Sequence, residues 1–194
     1  MRSDIYKFTK NMSDFSVILE EAEKTAVYNN LDERQARRLR LMSEELVCML
    51  PELLEYGGGE FWIENDGMEF ELHVSLRVEN FMNLDRDKIL SVSKSGKNAA
   101  AVGILNKIRI AAEVMMIGYS EVAANGGCEF YEMGVMNNYM NYTNSWSLES
   151  YREQAKGNEA WDELEKSIIA NLADDVTVGI IGNNVDIVVK KNFK

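Results

Sequence analysis

The fold is decided by residues 60–78, which read EFWIENDGMEFELHVSLRV. The dipeptide Asp66-Gly67 is typical of a two-residue hairpin turn, so the segments on either side of it are predicted to pair as antiparallel strands. From Met68 to Val78, apolar and polar side chains alternate. Successive side chains of a strand point to opposite faces, so this alternation predicts one buried face and one face in water.

Two helices are predicted before the hairpin. Residues 7–9 are expected to form a short strand, and Ser13 is expected to cap a first helix that ends at Asn29-Asn30. Its apolar residues at helical spacing are Phe15, Leu19, Ala22, Ala26 and Val27. Asp32 suits the start of a second helix. The apolar stripe of that helix is Leu39, Met42, Leu46, Met49, Leu50 and Leu53.

The end of the second helix is predicted from Pro51 and a run of glycines. Pro51 removes a backbone donor, which predicts a kink or an early end near Met49 to Leu50. Gly57-Gly58-Gly59 is then expected to stop the helix.

The second half of the chain is less regular. A polar stretch at 80–88 precedes a predicted helix from Ala99 to about Met116, and residues 119–147 form an irregular insertion rich in Asn, Tyr and Met. A helix is predicted over about 159–172. A second hairpin is predicted from segments 176–181 and 185–190. The order of elements predicts an α+β fold: a two-layer sandwich in one domain over 1–194, with helices on one face of a mixed, mostly antiparallel sheet.

Charge and composition exclude several classes of function. The net charge of −11 and the pI near 4.7 argue against a nucleic-acid partner, because affinity for nucleic acid depends on neutralising phosphates. No apolar run reaches the length of a membrane span and the N-terminus lacks the apolar centre of a signal peptide, so a cytoplasmic protein without membrane contact is expected. Cys48, Cys128 and the single histidine, His73, do not form a zinc motif. His73 is expected to be solvated and without a role.

The element order over about residues 6–118 resembles the GHKL ATPase superfamily, in particular its anti-sigma-factor serine kinases. In that family the second helix carries a glutamate that transfers a proton and, four residues later, an asparagine that binds Mg²⁺. The resemblance places Glu45 and Met49 at these positions, and one residue earlier Glu44 would pair with Cys48. A thioether does not ligate a hard cation such as Mg²⁺. The other interpretation of Glu44 and Glu45 is a solvated helix edge.

Two further sites follow from the resemblance. Asn80 stands where the family has an aspartate that binds adenine, but Phe81-Met82 replace the expected glycine; an ordinary turn is the alternative. Lys94, Gly96, Lys97, Asn98 and Gly103 lie where the family has its glycine-rich phosphate loop. The flexible glycine, the lysines and the helix start suit an anion, and the alternative is a plain capped helix.

Three hypotheses of function remain. The first is a regulatory protein that has lost Mg-ATP catalysis and binds a protein partner, such as a sigma factor or another regulator. No metal is expected under it, and no cofactor is certain. The second is a divergent ATP- or ADP-binding ATPase or serine kinase that uses Glu45 as its base. The third is a small-molecule binding module. The oligomeric state is not predicted, and the Tyr- and Met-rich part of 119–147 is interpreted as either a binding surface or core.

Overall fold

The computed structural model describes residues 1–9, 15–53, 56–78, 145–155, 168–181 and 184–194. The predictions for 80–88, for the helix at 99–116 and for 119–144 lie outside these ranges. The described helices are α1 (Ser16–Tyr28), α2 (Glu33–Leu53), α3 (Leu148–Ala155) and α4 (Ile168–Leu172). The described strands are β1 (Tyr6–Thr9), β2 (Tyr56–Asp66), β3 (Glu69–Val78), β4 (Ser145–Ser147), β5 (Asp175–Ile181) and β6 (Asn184–Asn192).

The strands form one six-stranded sheet in the order β1-β2-β3-β6-β5-β4. Every pair of neighbouring strands in it is antiparallel. The α+β class is therefore confirmed, and the parallel pair that a mixed sheet requires does not occur among the described strands. Both predicted hairpins form, and β3 pairs with β6, so the two hairpins lie side by side at the centre of the sheet.

The turn of the first hairpin lies one residue later than predicted. Asp66 pairs with Glu69, which leaves Gly67 and Met68 as the loop. Gly67 has a φ of 57°, in the left-handed region that glycine enters without a steric penalty. Asp66 is therefore the last paired residue of β2, and only Gly67 of the predicted turn dipeptide lies in the loop.

The predicted alternation in β3 is confirmed. Phe70, Leu72, Val74, Leu76 and Val78 are buried, whereas the residues between them are exposed or half-buried. The buried face of the sheet and the stripe of α2, including Leu39, Met42 and Leu46, belong to one core cluster. Burying a side chain of this size stabilises the fold by roughly 1.5–3 kcal/mol, so the α2 stripe and the sheet face hold the two layers together.

Helix α2 begins as predicted but runs further than predicted. Asp32 Oδ1 accepts the Gln35 N–H at 2.8 Å, and Gln35 Oε1 accepts the Asp32 N–H at 2.9 Å, which is a reciprocal capping box. The helix continues through Pro51 to Leu53, so the early end near residues 49–50 is wrong. We attribute the continuation to packing, because Leu46, Val47 and Leu50 are buried on this last part of the helix.

The glycine run belongs to a strand and does not merely stop the helix. Strand β2 begins at Tyr56, with a register irregularity between Tyr56 and Gly58. Gly59 pairs with Phe8 on one side and Leu76 on the other, and the Phe8 ring lies directly over it. The glycine leaves room for this ring, which packs edge-on against Phe15 and Tyr56.

Helix α1 differs from its prediction at the start. It begins at Ser16 with Phe15 in the N-cap position and no side-chain cap, while Ser13 lies outside the described residues. Asn29 ends it as predicted. Val27 was expected on the apolar side but is 76% exposed, and Ile18 is buried in its stead. The apolar residues of α1 are too sparse to fix its buried face by periodicity alone.

The C-terminal helices were predicted only in part. Helix α3 was missed, because the sequence shows no clear apolar period there. Of the helix predicted over about 159–172, the structure describes α4, which ends at Leu172 as expected. Strand β4 is a short element at the end of the insertion predicted at 119–147. Among the described residues, no helix combines the length and apolar character needed to cross a bilayer.

We predict that Gly59→Ala destabilises the protein by about 1–3 kcal/mol, because overpacking forces buried groups to move. A Cβ at Gly59 would lie 2.6 Å from Phe8 Cε2 and 2.9 Å from Leu76 Cδ2. Gly179→Ala is the control, since a Cβ there meets nothing within 4 Å. Urea unfolding of both variants measures the difference. Equal stability of the two variants would show that Phe8 is not held over Gly59.

Candidate functional site

The structure describes only part of the site that the sequence predicts. Glu45 and Met49 lie one turn apart in α2. The side chain of Met49 is outside what the structure describes, and so are Asn80, Lys94, Gly96, Lys97, Asn98 and Gly103. Glu45 is therefore the one proposed site residue whose side-chain contacts the structure describes.

Glu45 caps helix α4. Its Oε1 accepts the Ile168 N–H at 3.2 Å, and its Oε2 accepts the Ile169 N–H at 2.5 Å. The first N–H groups of a helix have no partner within the helix, and the positive end of the helix dipole favours a carboxylate there. These contacts differ from the solvated helix edge that was one interpretation of Glu45, and its role as a proton-transferring base stays a prediction.

The other end of α4 is held by a cation. Arg152, from α3, donates to the carbonyl oxygens of Ala170, Ala173 and Asp174, at 3.2 Å for Ala173 and 2.8 Å for Asp174. A guanidinium at a helix C-terminus is favoured by the same dipole. An isolated helix of five residues is not stable in water, so α4 depends on these contacts and on the burial of Ile169 and Ala170.

We predict that Glu45→Ala lowers the free energy of unfolding by about 1–2 kcal/mol, since it leaves two backbone N–H groups of α4 without their acceptor. Glu44→Ala is the matched control, because Glu44 is the exposed neighbour on the same helix. Its effect should stay within about 0.5 kcal/mol. Chemical denaturation measures both, and equal losses would argue against the cap.

The outer face of the sheet, opposite the helices, carries an aromatic stack. Trp62 of β2 and His73 of β3 are directly paired, and their rings are stacked with centroids 4.8 Å apart and planes 4° apart. The Arg2 guanidinium lies 4.8 Å from the Trp62 ring centroid. Arg2 forms an isolated β-bridge with Glu64 on the side of β2 away from β3. The Trp62 ring therefore lies between the Arg2 guanidinium and the His73 imidazole.

His73 is not the solvated histidine that was expected. Its side chain is only 16% exposed. The Nε2 atom lies 3.3 Å from Glu71 Oε2, but the geometry is not that of a hydrogen bond, and the nitrogen has no other partner among the described residues. Burial lowers the pKa of His73 below 6.5, Arg2 adds to this effect, and the carboxylates of Glu64 and Glu71 oppose it. The Trp62 ring shields His73 from water, although the alternation of β3 predicts that His73 lies on the exposed polar face.

The pKa of His73 predicts a pH dependence of stability. Well above pH 6.5, the ring is neutral in both the folded and the unfolded chain. As the pH falls below 6.5, the unfolded chain takes up a proton before the folded chain does, so the free energy of unfolding decreases. We predict that His73→Phe, which keeps a ring beside Trp62, loses less stability than wild type between about pH 7.5 and about pH 5.5. Urea unfolding at both pH values tests this. The same loss in both proteins would contradict it.

A groove of about 340 Å³ lies at one end of the outer face. Its lining includes Lys7, Gly58, Ser75, Arg77 and Asn184. Gly58 contributes no side chain to the lining, and a Cβ there would lie 3.2 Å from the Phe8 carbonyl oxygen. Lys7 is paired with Glu60 at 3.0 Å, whereas Arg77 has no carboxylate partner among the described residues.

Tyr56 is a second residue that the sequence did not single out. It is 3% exposed, and its hydroxyl has no hydrogen-bond partner among the described residues. Burial raises its pKa. Tyr56 pairs with Val78, so it lies at the end of the sheet from which the chain continues to Asn80. A buried hydroxyl without a partner costs about 1–3 kcal/mol, which makes it a polar group available to a ligand.

The Trp62–His73 stack could have been predicted from the sequence. Both residues lie on the polar face of the hairpin, and their pairing follows from the turn position. The expected turn at Asp66-Gly67 would have placed Trp62 opposite Glu71, so a one-residue error in the turn hid the stack. In the part of the chain that the structure describes, no three His, Cys, Asp or Glu side chains are grouped so as to hold a metal ion.

Comparison of the chain with models of protein families finds no match, and neither does comparison with curated proteins.

Proposed function

We propose that this chain is a regulatory protein on a scaffold resembling the GHKL ATPases of the anti-sigma-factor kinase branch. It acts by binding a protein partner, and it does not transfer phosphate from Mg-ATP. The observation that carries this proposal is the cap formed by Glu45 on α4, because it engages the one carboxylate that the resemblance offers as a catalytic base.

The chemistry of Glu45 and Met49 supports the loss of catalysis. A catalytic base must reach the proton that it removes, directly or through one water. Both carboxylate oxygens of Glu45 accept hydrogen bonds from backbone N–H groups, and these contacts fix the orientation of the side chain. Met49 offers a thioether where Mg²⁺ needs oxygen. The rate of phosphoryl transfer depends mainly on a metal ion and on positioned charges. The contacts of Glu45 and the thioether of Met49 both affect these two contributions.

The order of elements supports the scaffold. Strand β1, helices α1 and α2, and the β2–β3 hairpin follow in the order on which the resemblance rests, and the last hairpin places β6 beside β3. The partner in this proposal is a protein, for which a sigma factor or another regulator is the family's precedent, and the setting is the cytoplasm. ATP or ADP without Mg²⁺ stays compatible with the loop at Lys94 to Asn98.

One observation favours the small-molecule alternative. In the part of the chain that the structure describes, the buried hydroxyl of Tyr56 has no hydrogen-bond partner, and Tyr56 pairs with Val78 at the end of β3 that leads to Asn80. A ligand with a polar group at this point would satisfy it. Under this alternative the chain is a binding module that has reused the nucleotide cleft.

We predict that purified protein shows no Mg-dependent ATP hydrolysis or protein phosphorylation above background. Labelled-phosphate release and transfer assays measure this, with a thermal-shift series in ATP, ADP and Mg²⁺ to detect binding without turnover. Glu45→Gln is the diagnostic variant. Turnover that this variant abolishes would refute the proposal and favour the divergent kinase. A melting temperature raised by ATP or ADP in the absence of turnover would support a retained nucleotide site.

A further inference from the structure

Helix α2 carries a cluster of arginines in an acidic protein. Residues 33–40 read ERQARRLR, in a chain of net charge −11. Arg37 is paired with Glu33 and Arg40 with Glu23. Arg34 and Arg38, one turn apart on the same side of α2, have no carboxylate partner among the described residues.

These arginines line a shallow groove between α2 and α4. Its volume is about 690 Å³, and it is lined by Asp32, Glu33, Arg34, Arg37, Arg38, Leu41 and Leu172. Leu41 is 42% exposed, one turn beyond Arg38, and Leu172 is partly buried at the end of α4. The lining therefore combines three arginines with two apolar side chains, Leu41 on the same helix as the arginines and Leu172 on α4.

The two acidic residues of the lining are already engaged. Asp32 accepts the Gln35 N–H in the capping box, and Glu33 contacts Arg37. They leave Arg34 and Arg38 uncompensated. Elsewhere in the described chain most lysines and arginines lie within 4.0 Å of a carboxylate, with Arg77 and Arg152 as the exceptions. Two such arginines one turn apart, Arg34 and Arg38, occur among the described residues only on this surface.

We propose that this α2–α4 groove binds an acidic amphipathic helix of the protein partner, with its carboxylates on Arg34 and Arg38 and its apolar side on Leu41 and Leu172. This inference rests on the proposed function, in that it assigns the partner's binding surface. An amphipathic helix presents apolar residues beside charged ones, which matches a lining that holds Leu41 and Leu172 next to the arginines.

Local charge outweighs the opposing charge of the whole protein. At physiological ionic strength the Debye length is about 8 Å, so exposed charges further away than this are largely screened. The lining itself holds three arginines, Arg34, Arg37 and Arg38, against the two carboxylates of Asp32 and Glu33, so the charge nearest to a ligand in the groove is positive. Guanidinium groups also bind carboxylates in a bidentate geometry that lysine does not offer.

The test uses a stapled peptide of about 15 residues with leucines on one side and glutamates on the adjoining sides, because shorter helices are marginal in water. One comparison peptide carries lysine in place of glutamate, and another has the same composition with leucines distributed around the helix. Fluorescence anisotropy with the intact chain measures binding. The proposal requires that the acidic amphipathic peptide binds and that both comparison peptides bind at least about tenfold more weakly.

Variants of the chain locate the binding surface. Arg34→Glu and Arg38→Glu should each weaken binding, and together by at least about tenfold. Arg77→Glu is the matched control, since Arg77 is also exposed and without a carboxylate partner but lies on the outer sheet face. Leu41→Ser should weaken binding, whereas Val27→Ser, at an exposed apolar residue of α1, should not. Circular dichroism and urea unfolding of each variant confirm that it remains folded.

Three outcomes overturn the inference. They are no binding of the acidic peptide, binding that Arg77→Glu weakens as much as Arg38→Glu does, and a wild-type dimer in sedimentation that Arg38→Glu dissociates. The last would show that a second copy of this chain fills the groove. The proposed function fails separately, by Mg-dependent turnover of ATP, and peptide binding that needs Arg34 and Arg38 would still support the groove.

Discussion

The pairing of β3 with β6 is the constraint on which the rest of the structure depends. It joins two hairpins that are far apart in the sequence and places Leu72, Val74 and Leu76 opposite Val189, Ile187 and Val185. All six side chains are buried. This row gives the sheet a continuous apolar face, and the stripe of α2 covers it. The length-dependent cost of closing a loop of about 100 residues is about 7RT, or roughly 4 kcal/mol, and the burial of one such row of side chains offsets it.

Helix α4 shows how charged side chains position an element that has little stability of its own. Glu45 binds its first N–H groups and Arg152 binds its last carbonyl groups. The same contacts set the geometry of the groove between α2 and α4. The carboxylate that the family resemblance associates with catalysis contacts the backbone of α4 here. The proposed loss of catalysis and the proposed binding surface therefore both depend on the position of α4.

The two faces of the sheet follow different physical rules. The inner face is apolar and covered by helices. The outer face carries carboxylates, cations and the Trp62–His73 stack. Trp62 Nε1 donates a hydrogen bond to Glu64 at 2.9 Å, and Lys190 contacts Glu71 at 3.0 Å. Glu64 and Glu71 are directly opposite each other, and Arg2 and Lys190 offset their repulsion. Stacking thus excludes water from a face that the strand's alternation marks as polar.

The sequence by itself determined the local elements: the alternation of β3, both hairpins, the start of α2 at Asp32 and its apolar stripe. These depend on residues within one or two turns of each other, so periodicity and capping chemistry reveal them. Only the tertiary structure decided the role of Glu45, whose partner lies 123 residues away along the chain. It also decided that the Phe8 ring lies over Gly59, and that Arg34 and Arg38 lack partners. These features arise where distant segments meet, and the spacing of residues along one segment carries no information about what packs against it.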